Sequence, residues 1–154
     1  MSYDFLIFIH IVSLVLLLGV GGGSAFYKFM SDKSNNIDVI VHTNKMIVLA
    51  DWLFTTPSII LQPISGIMLA NLMNIPLTTP WLLVSIILYI FAGALWLLAV
   101  YLQIRMKKIA SKCQRNSTSL TKEYHILVKQ WIILGFFSFA AMGSIFILMV
   151  FKIF

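Results

Sequence analysis

The sequence predicts an all-α fold, an antiparallel four-helix transmembrane bundle, and three observations carry that expectation. Of the 154 residues, 60% are apolar and 10% charged, where an ordinary soluble domain spends about a quarter of its residues on charge. Mean hydropathy is +0.98. Four stretches, 5–27, 46–70, 81–104 and 130–151, are continuously apolar and together hold one formally charged side chain, Asp51. About 20 such residues cross a hydrocarbon core of roughly 30 Å as a helix. The runs lack period-two alternation, which excludes a barrel. The length allows one membrane domain, 1–154, with almost nothing left for a soluble one.

The first run reads as a retained crossing rather than a signal peptide, because the residues before it carry Asp4 and no Lys or Arg. Positive charge then orients the bundle. Lys28, Lys33, Lys45, Arg105, Lys107, Lys108, Lys112, Arg115, Lys122 and Lys129 fall in loops 28–45 and 105–129, whereas only Lys152 lies on the other side. Both loops are therefore expected in the cytoplasm and both termini outside. The basic excess fits loops beside anionic lipid and excludes nucleic acid as the partner. Cys113 falls in a loop where thiols stay reduced, and as the single Cys it has no disulfide partner. The stretch 112–121 reads as a polar loop.

Polar groups within the apolar runs mark the candidate site, since each is costly in a bilayer. At 1.5 Å of rise per residue, His10 lies about 8 Å below the outer surface, Gln62 and Tyr89 about 12 Å and Ser144 about 10 Å. A second layer lies near the cytoplasmic side, with Asp51 about 8 Å in, Trp96 about 12 Å in, and Lys45 and Arg105 at the rim. Asp51, Thr55, Ser58, Gln62 and Ser65 step by three and four along one helix face. Tyr89, Gly93, Trp96, Val100 and Gln103 do so on the third helix, and His10, Ser13, Leu17, Gly21 and Ser24 on the first. Asp51 reads as an ion-pair or hydrogen-bond partner of Lys45 or Arg105, or as a proton carrier. Gln62 is either helix–helix glue or a site residue, and Tyr89, Trp81 and Trp131 read most simply as packing and interface-belt aromatics.

Pro57 and Pro63 each remove a backbone donor from the second helix and free carbonyls near residues 53 and 59. Thr55, Thr56 and Ser58 can satisfy part of that deficit. Gly19 and Gly23 have the small-xxx-small spacing that lets two helices approach, although a flat porphyrin or quinone ring would also lie on so bare a face. Several chemistries are excluded. Glu123 is the only Glu, too few for a di-iron carboxylate site. No zinc spacing, phosphate loop or nucleophile elbow occurs. His10 stands about 25 Å in rise from His42 and His125, so it cannot share an iron with them. A His42–His125 pair, or a haem on His10 alone or with Met or Gln opposite, stays open.

The strings Ala50-Asp51-Trp52-Leu53-Phe54-Thr55-Thr56-Pro57 and Leu61-Gln62-Pro63-Ile64-Ser65-Gly66 carry a resemblance. With His10, Tyr89, Leu102-Gln103-Ile104-Arg105 and Trp131-x-x-Leu134-Gly135, the chain resembles a bacterial family of predicted four-helix integral membrane proteins of unknown function. The resemblance implies the fold and a bacterial inner-membrane location, and no reaction. A looser similarity, through His10, Gly19 and Phe26-Tyr27 followed by Lys28, is to HemJ-type protoporphyrinogen oxidases and CopD copper-resistance membrane domains; it implies haem or porphyrin binding.

Three functions are then expected to compete, and whether the protein is an enzyme stays open. The first is a haem- or porphyrin-associated redox protein, with haem b on His10 as metal ligand and Gln62 and Tyr89 completing the cofactor site. The second is a small proton- or cation-coupled transporter using Asp51, with Trp96 and Arg105 beside it. The third is a non-catalytic subunit of a larger membrane complex, joined to another membrane protein or to a second copy through its small-residue faces.

Overall fold

The computed structural model describes residues 2–152. They form four long helical rods: α1 (Tyr3–Lys33); α2 (Ile37–Ala50), running through a π-helical turn (Asp51–Thr55) into α3 (Thr56–Leu72); α4 (Pro80–Arg115); and α5 (Lys122–Phe151). Each of the four rods is long and apolar enough to cross a membrane. Large apolar side chains such as Phe8, Trp52, Ile90 and Phe136 are exposed around the outside, as expected of surfaces solvated by lipid tails rather than water.

The rods are longer than the apolar runs, and the segments expected as basic loops are mostly helix. The connections shrink to 34–36, 73–79 and 116–121. The reason lies in patterning. Ile40, Val41, Asn44, Ile47 and Val48 form the buried stripe of α2, and Leu102, Met106, Ala110 and Cys113 continue that of α4. Such amphipathic turns have an average hydropathy too low to count as an apolar run, yet they bury one face fully. Cys113 is accordingly a buried helical residue, not a loop thiol.

Local signals end each rod. The Asn36 side chain accepts from the N–H groups of Asp38 (3.0 Å) and Val39 (3.4 Å), and Thr121 accepts from that of Tyr124 (3.3 Å), satisfying donors that open helix ends leave orphaned. Asn35, Asn74 and Ser117 adopt left-handed φ values of 53°, 53° and 52° just beyond α1, α3 and α4.

The best-packed core lies at the basic end, where Ile40, Val41, Leu102, Met106, Ala110, Tyr124 and Leu127 cluster. Contacts fix how the rods pair. His10 meets Gln62 and Ser65, Tyr89 meets Ile59, Gln114 meets Asp38, and Arg105 meets Glu123.

Candidate functional site

The second rod is where local sequence most reshapes the helix. Pro57 cannot supply an N–H to the preceding turn, and the backbone widens into the π turn Asp51–Thr55 immediately before it. The Thr56 backbone N–H and its hydroxyl (2.9 Å) both donate to the Asp51 carbonyl. The Thr55 hydroxyl donates to the Asp51 carboxylate at 2.8 Å. Pro63 likewise leaves the Ile59 carbonyl without its usual donor, and the Tyr89 hydroxyl of α4 fills that vacancy at 2.7 Å. The role of Tyr89 is thus to repair a proline-broken helix from across the bundle. The expected stripe is confirmed: Asp51, Thr55, Ser58, Gln62 and Ser65 are all buried.

His10 and Gln62 come together as the sequence placed them in one layer. The Gln62 amide nitrogen lies 3.2 Å from His10 Nε2, and Ser65 Oγ lies 2.9 Å from His10 Nδ1. Ser65 commits its own proton to the Leu61 and Gln62 carbonyls, at 2.7 and 3.1 Å. It therefore accepts from Nδ1–H, and the Gln62 amide nitrogen faces Nε2, so both ring nitrogens are engaged by the second rod. Gly66 makes this approach feasible, since a Cβ there would stand 3.1 Å from His10 Cε1. An iron on either ring nitrogen would displace one of these bonds. Ser144 does not join the layer; it is exposed and donates to the Ala140 carbonyl of its own helix.

A separate space in the bundle lies elsewhere. A cavity of about 710 Å³ lies among α1, the π turn, α4 and α5. Its lining extends from Tyr89 to Gln103 on α4, about 20 Å of helical rise. Most of the wall is apolar, but Asp51, Thr55, Tyr89, Trp96, Gln103 and Trp131 all contribute. Trp96 Nε1, Trp131 Nε1 and Gln103 Oε1 are buried without a hydrogen-bond partner. Buried polar atoms are nearly always paired, so three residues with orphaned buried atoms in the wall of one cavity are unusual. Trp131, read as a packing or interface-belt aromatic, is a buried wall residue. His10 is not part of this lining.

The polar wall continues into a network that the sequence reading passed over. Lys28, assigned to a cytoplasmic loop, is buried inside α1 and ion-paired to Asp32 one turn on. The Tyr124 hydroxyl accepts from Lys28 Nζ (2.7 Å) and Asn44 Nδ2 (3.1 Å) and donates to Asp32 (2.8 Å). One phenol oxygen thereby uses all its hydrogen-bonding capacity to join α1, α2 and α5. The i,i+4 spacing of Lys28 and Asp32 was the available signal. Lys28 and Asp32 also line the cavity.

The expected pairing of Asp51 with Lys45 or Arg105 is not found. Arg105, well inside α4, pairs through its exposed side chain with Glu123 in the first turn of α5, while Thr55 donates to Asp51 and the Gln103 amide lies beside it. Asp51 and Trp96 line the cavity, whereas Lys45 lines a separate basic depression and Arg105 lines neither. Gly19 and Gly23 do not draw two helices of this chain together, because a Cβ at either would meet nothing within 4 Å. Gly21, Gly22, Gly93 and Gly135 instead border the cavity. His42 and His125 are both exposed, and among the described residues no group of three or more His, Cys, Asp or Glu could hold a metal ion.

No curated protein and no solved structure matches the chain. A family model does, over residues 4–153, and its description, "Predicted integral membrane protein (DUF2269)", agrees with the four apolar rods and their lipid-facing exterior. The chain therefore belongs to the DUF2269 family of integral membrane proteins.

Proposed function

We propose that this protein binds, within the bilayer, an apolar molecule carrying carbonyl-type acceptor oxygens. One observation carries the reading: the 710 Å³ cavity is lined by two tryptophans whose buried indole N–H groups have no partner, and by a glutamine with an unpartnered oxygen. Pockets for small molecules are mostly apolar with a few convergent polar groups. An indole N–H can only donate, so the ligand's complementary atoms are acceptors. The Gln103 oxygen favours an additional hydroxyl or N–H on the same molecule. The charge distribution supports a bacterial inner membrane with the basic end in the cytoplasm and both termini outside.

The test uses a benzoquinone bearing a decyl tail as probe. In a Trp52→Phe/Trp81→Phe protein the remaining emission comes from Trp96 and Trp131. Saturable quenching is expected, and Gly93→Leu should weaken it by projecting a branched side chain into the cavity, where a Cβ meets nothing within 4 Å. Unsaturable quenching, or equal quenching in the filled variant, would refute the proposal.

Haem b on His10 is the second reading, supported by an intramembrane imidazole at a helix junction. It requires Nε2 to exchange the Gln62 amide for iron. A Soret band in the purified protein that His10→Ala removes would establish it, and a featureless spectrum would end it. If Asp51 carries protons for a transported ligand, Asp51→Asn should abolish pH-dependent uptake; unchanged uptake argues against that role.

A further inference from the structure

A second concave feature lies outside the cavity. Lys45 of α2 and Lys107, Lys108, Ser111, Gln114 and Arg115 of α4 border an open depression of about 350 Å³. Four of the six side chains are cations, and among the described residues none of the four is in a salt bridge. The one carboxylate tied to this lining is Asp38, which accepts from Gln114 at 2.6 Å. On α4 the lining positions step by one, three, three and one residues, so they share one helix face. Lys107 and Lys108 follow the third apolar run within one turn of its end, which puts the depression at headgroup depth.

We propose that this depression is a binding site for the phosphate of an anionic phospholipid headgroup. Unpaired cations gathered in one concavity repel each other, and a phosphate relieves that repulsion while accepting from several ammonium and guanidinium donors at once. A diffuse basic surface would attract the same lipids without stoichiometry. The Ser111 hydroxyl and the Gln114 amide, gathered with three cations on one face of α4 and with Lys45 of α2 beside them, distinguish a site from such a surface.

The experiment is native mass spectrometry of the full-length protein released from a neutral detergent, titrated with dioleoylphosphatidylglycerol. One retained lipid per protein is expected. Lys45→Gln/Lys108→Gln should weaken retention about thirtyfold. Lys122→Gln/Lys129→Gln removes equal charge from α5, outside the depression, and should leave retention within about twofold. Equal loss in both variants, or no retained lipid in the parent protein, overturns the site. Inorganic pyrophosphate identifies the source: lipid retained against millimolar pyrophosphate assigns the site to the membrane, as proposed. Pyrophosphate binding without lipid retention overturns the lipid assignment in favour of a soluble phosphate. Circular dichroism and melting temperatures within a few degrees of the parent verify that both variants are folded.

Discussion

The Tyr89–Pro63 pair offers a quantitative test of how this bundle tolerates a broken helix. Pro63 lacks the N–H that would bond the Ile59 carbonyl, and Tyr89 donates there instead at 2.7 Å. Tyr89→Phe leaves that carbonyl without either donor. An unsatisfied buried acceptor costs about 1–3 kcal/mol in a protein interior. Interhelical hydrogen bonds in membranes average nearer 0.6 kcal/mol with a maximum of about 1.7, so the expected loss is about 1 kcal/mol. In a Pro63→Ala background, residue 63 has an N–H that can reach Ile59 along the helix. There Tyr89→Phe should cost no more than about 0.3 kcal/mol, the usual scatter of additive sites. The assay is reversible unfolding of the four proteins in mixed micelles, with the coupling energy taken from the cycle. Equal costs of Tyr89→Phe in both backgrounds would refute the repair role and assign Tyr89 to packing alone.

Three further outcomes follow from the same geometry. Lys28→Met should destabilise the fold by about 3–5 kcal/mol, because it leaves Asp32 charged and uncompensated beside Tyr124. Lys28→Met/Asp32→Leu should recover most of that loss, and a double variant no more stable than the single one would contradict the ion-pair argument. Gly66→Ala should cost about 1–3 kcal/mol in unfolding free energy through overpacking against His10; the penalty should largely vanish when His10→Ala is also present. Gly135→Leu, like Gly93→Leu, should fold normally and raise the thermal midpoint by a few degrees, since it fills cavity space that a Cβ enters freely; a lowered midpoint would mean that the cavity is already occupied by protein.

Much of the fold was legible from composition. The apolar runs number the crossings, because a bilayer core demands about 20 apolar residues and internally satisfied backbone from any helix that spans it. Spacing identified the buried face of the second rod from Asp51 to Ser65, and the two prolines marked where its backbone needs outside donors. The joining of His10 to Gln62 followed from their shared outer layer on two different helices.

The remainder depended on which faces meet. Hydropathy averages over a helix turn, so it could not distinguish a basic loop from an amphipathic helix that hides Lys28 and exposes its neighbours Phe26 and Tyr27. Depth along an axis says nothing of rotation about it, which is why Asp51 found Thr55 and Gln103 rather than Lys45 or Arg105. A cavity is the space several helices fail to fill, and no single helix encodes it. The sequence by itself determined that this chain lives in a membrane as four helices; only their packing decided that Trp96, Gln103 and Trp131, each with an unpaired buried polar atom, should stand in the wall of one cavity while His10 turns both nitrogens to the second rod.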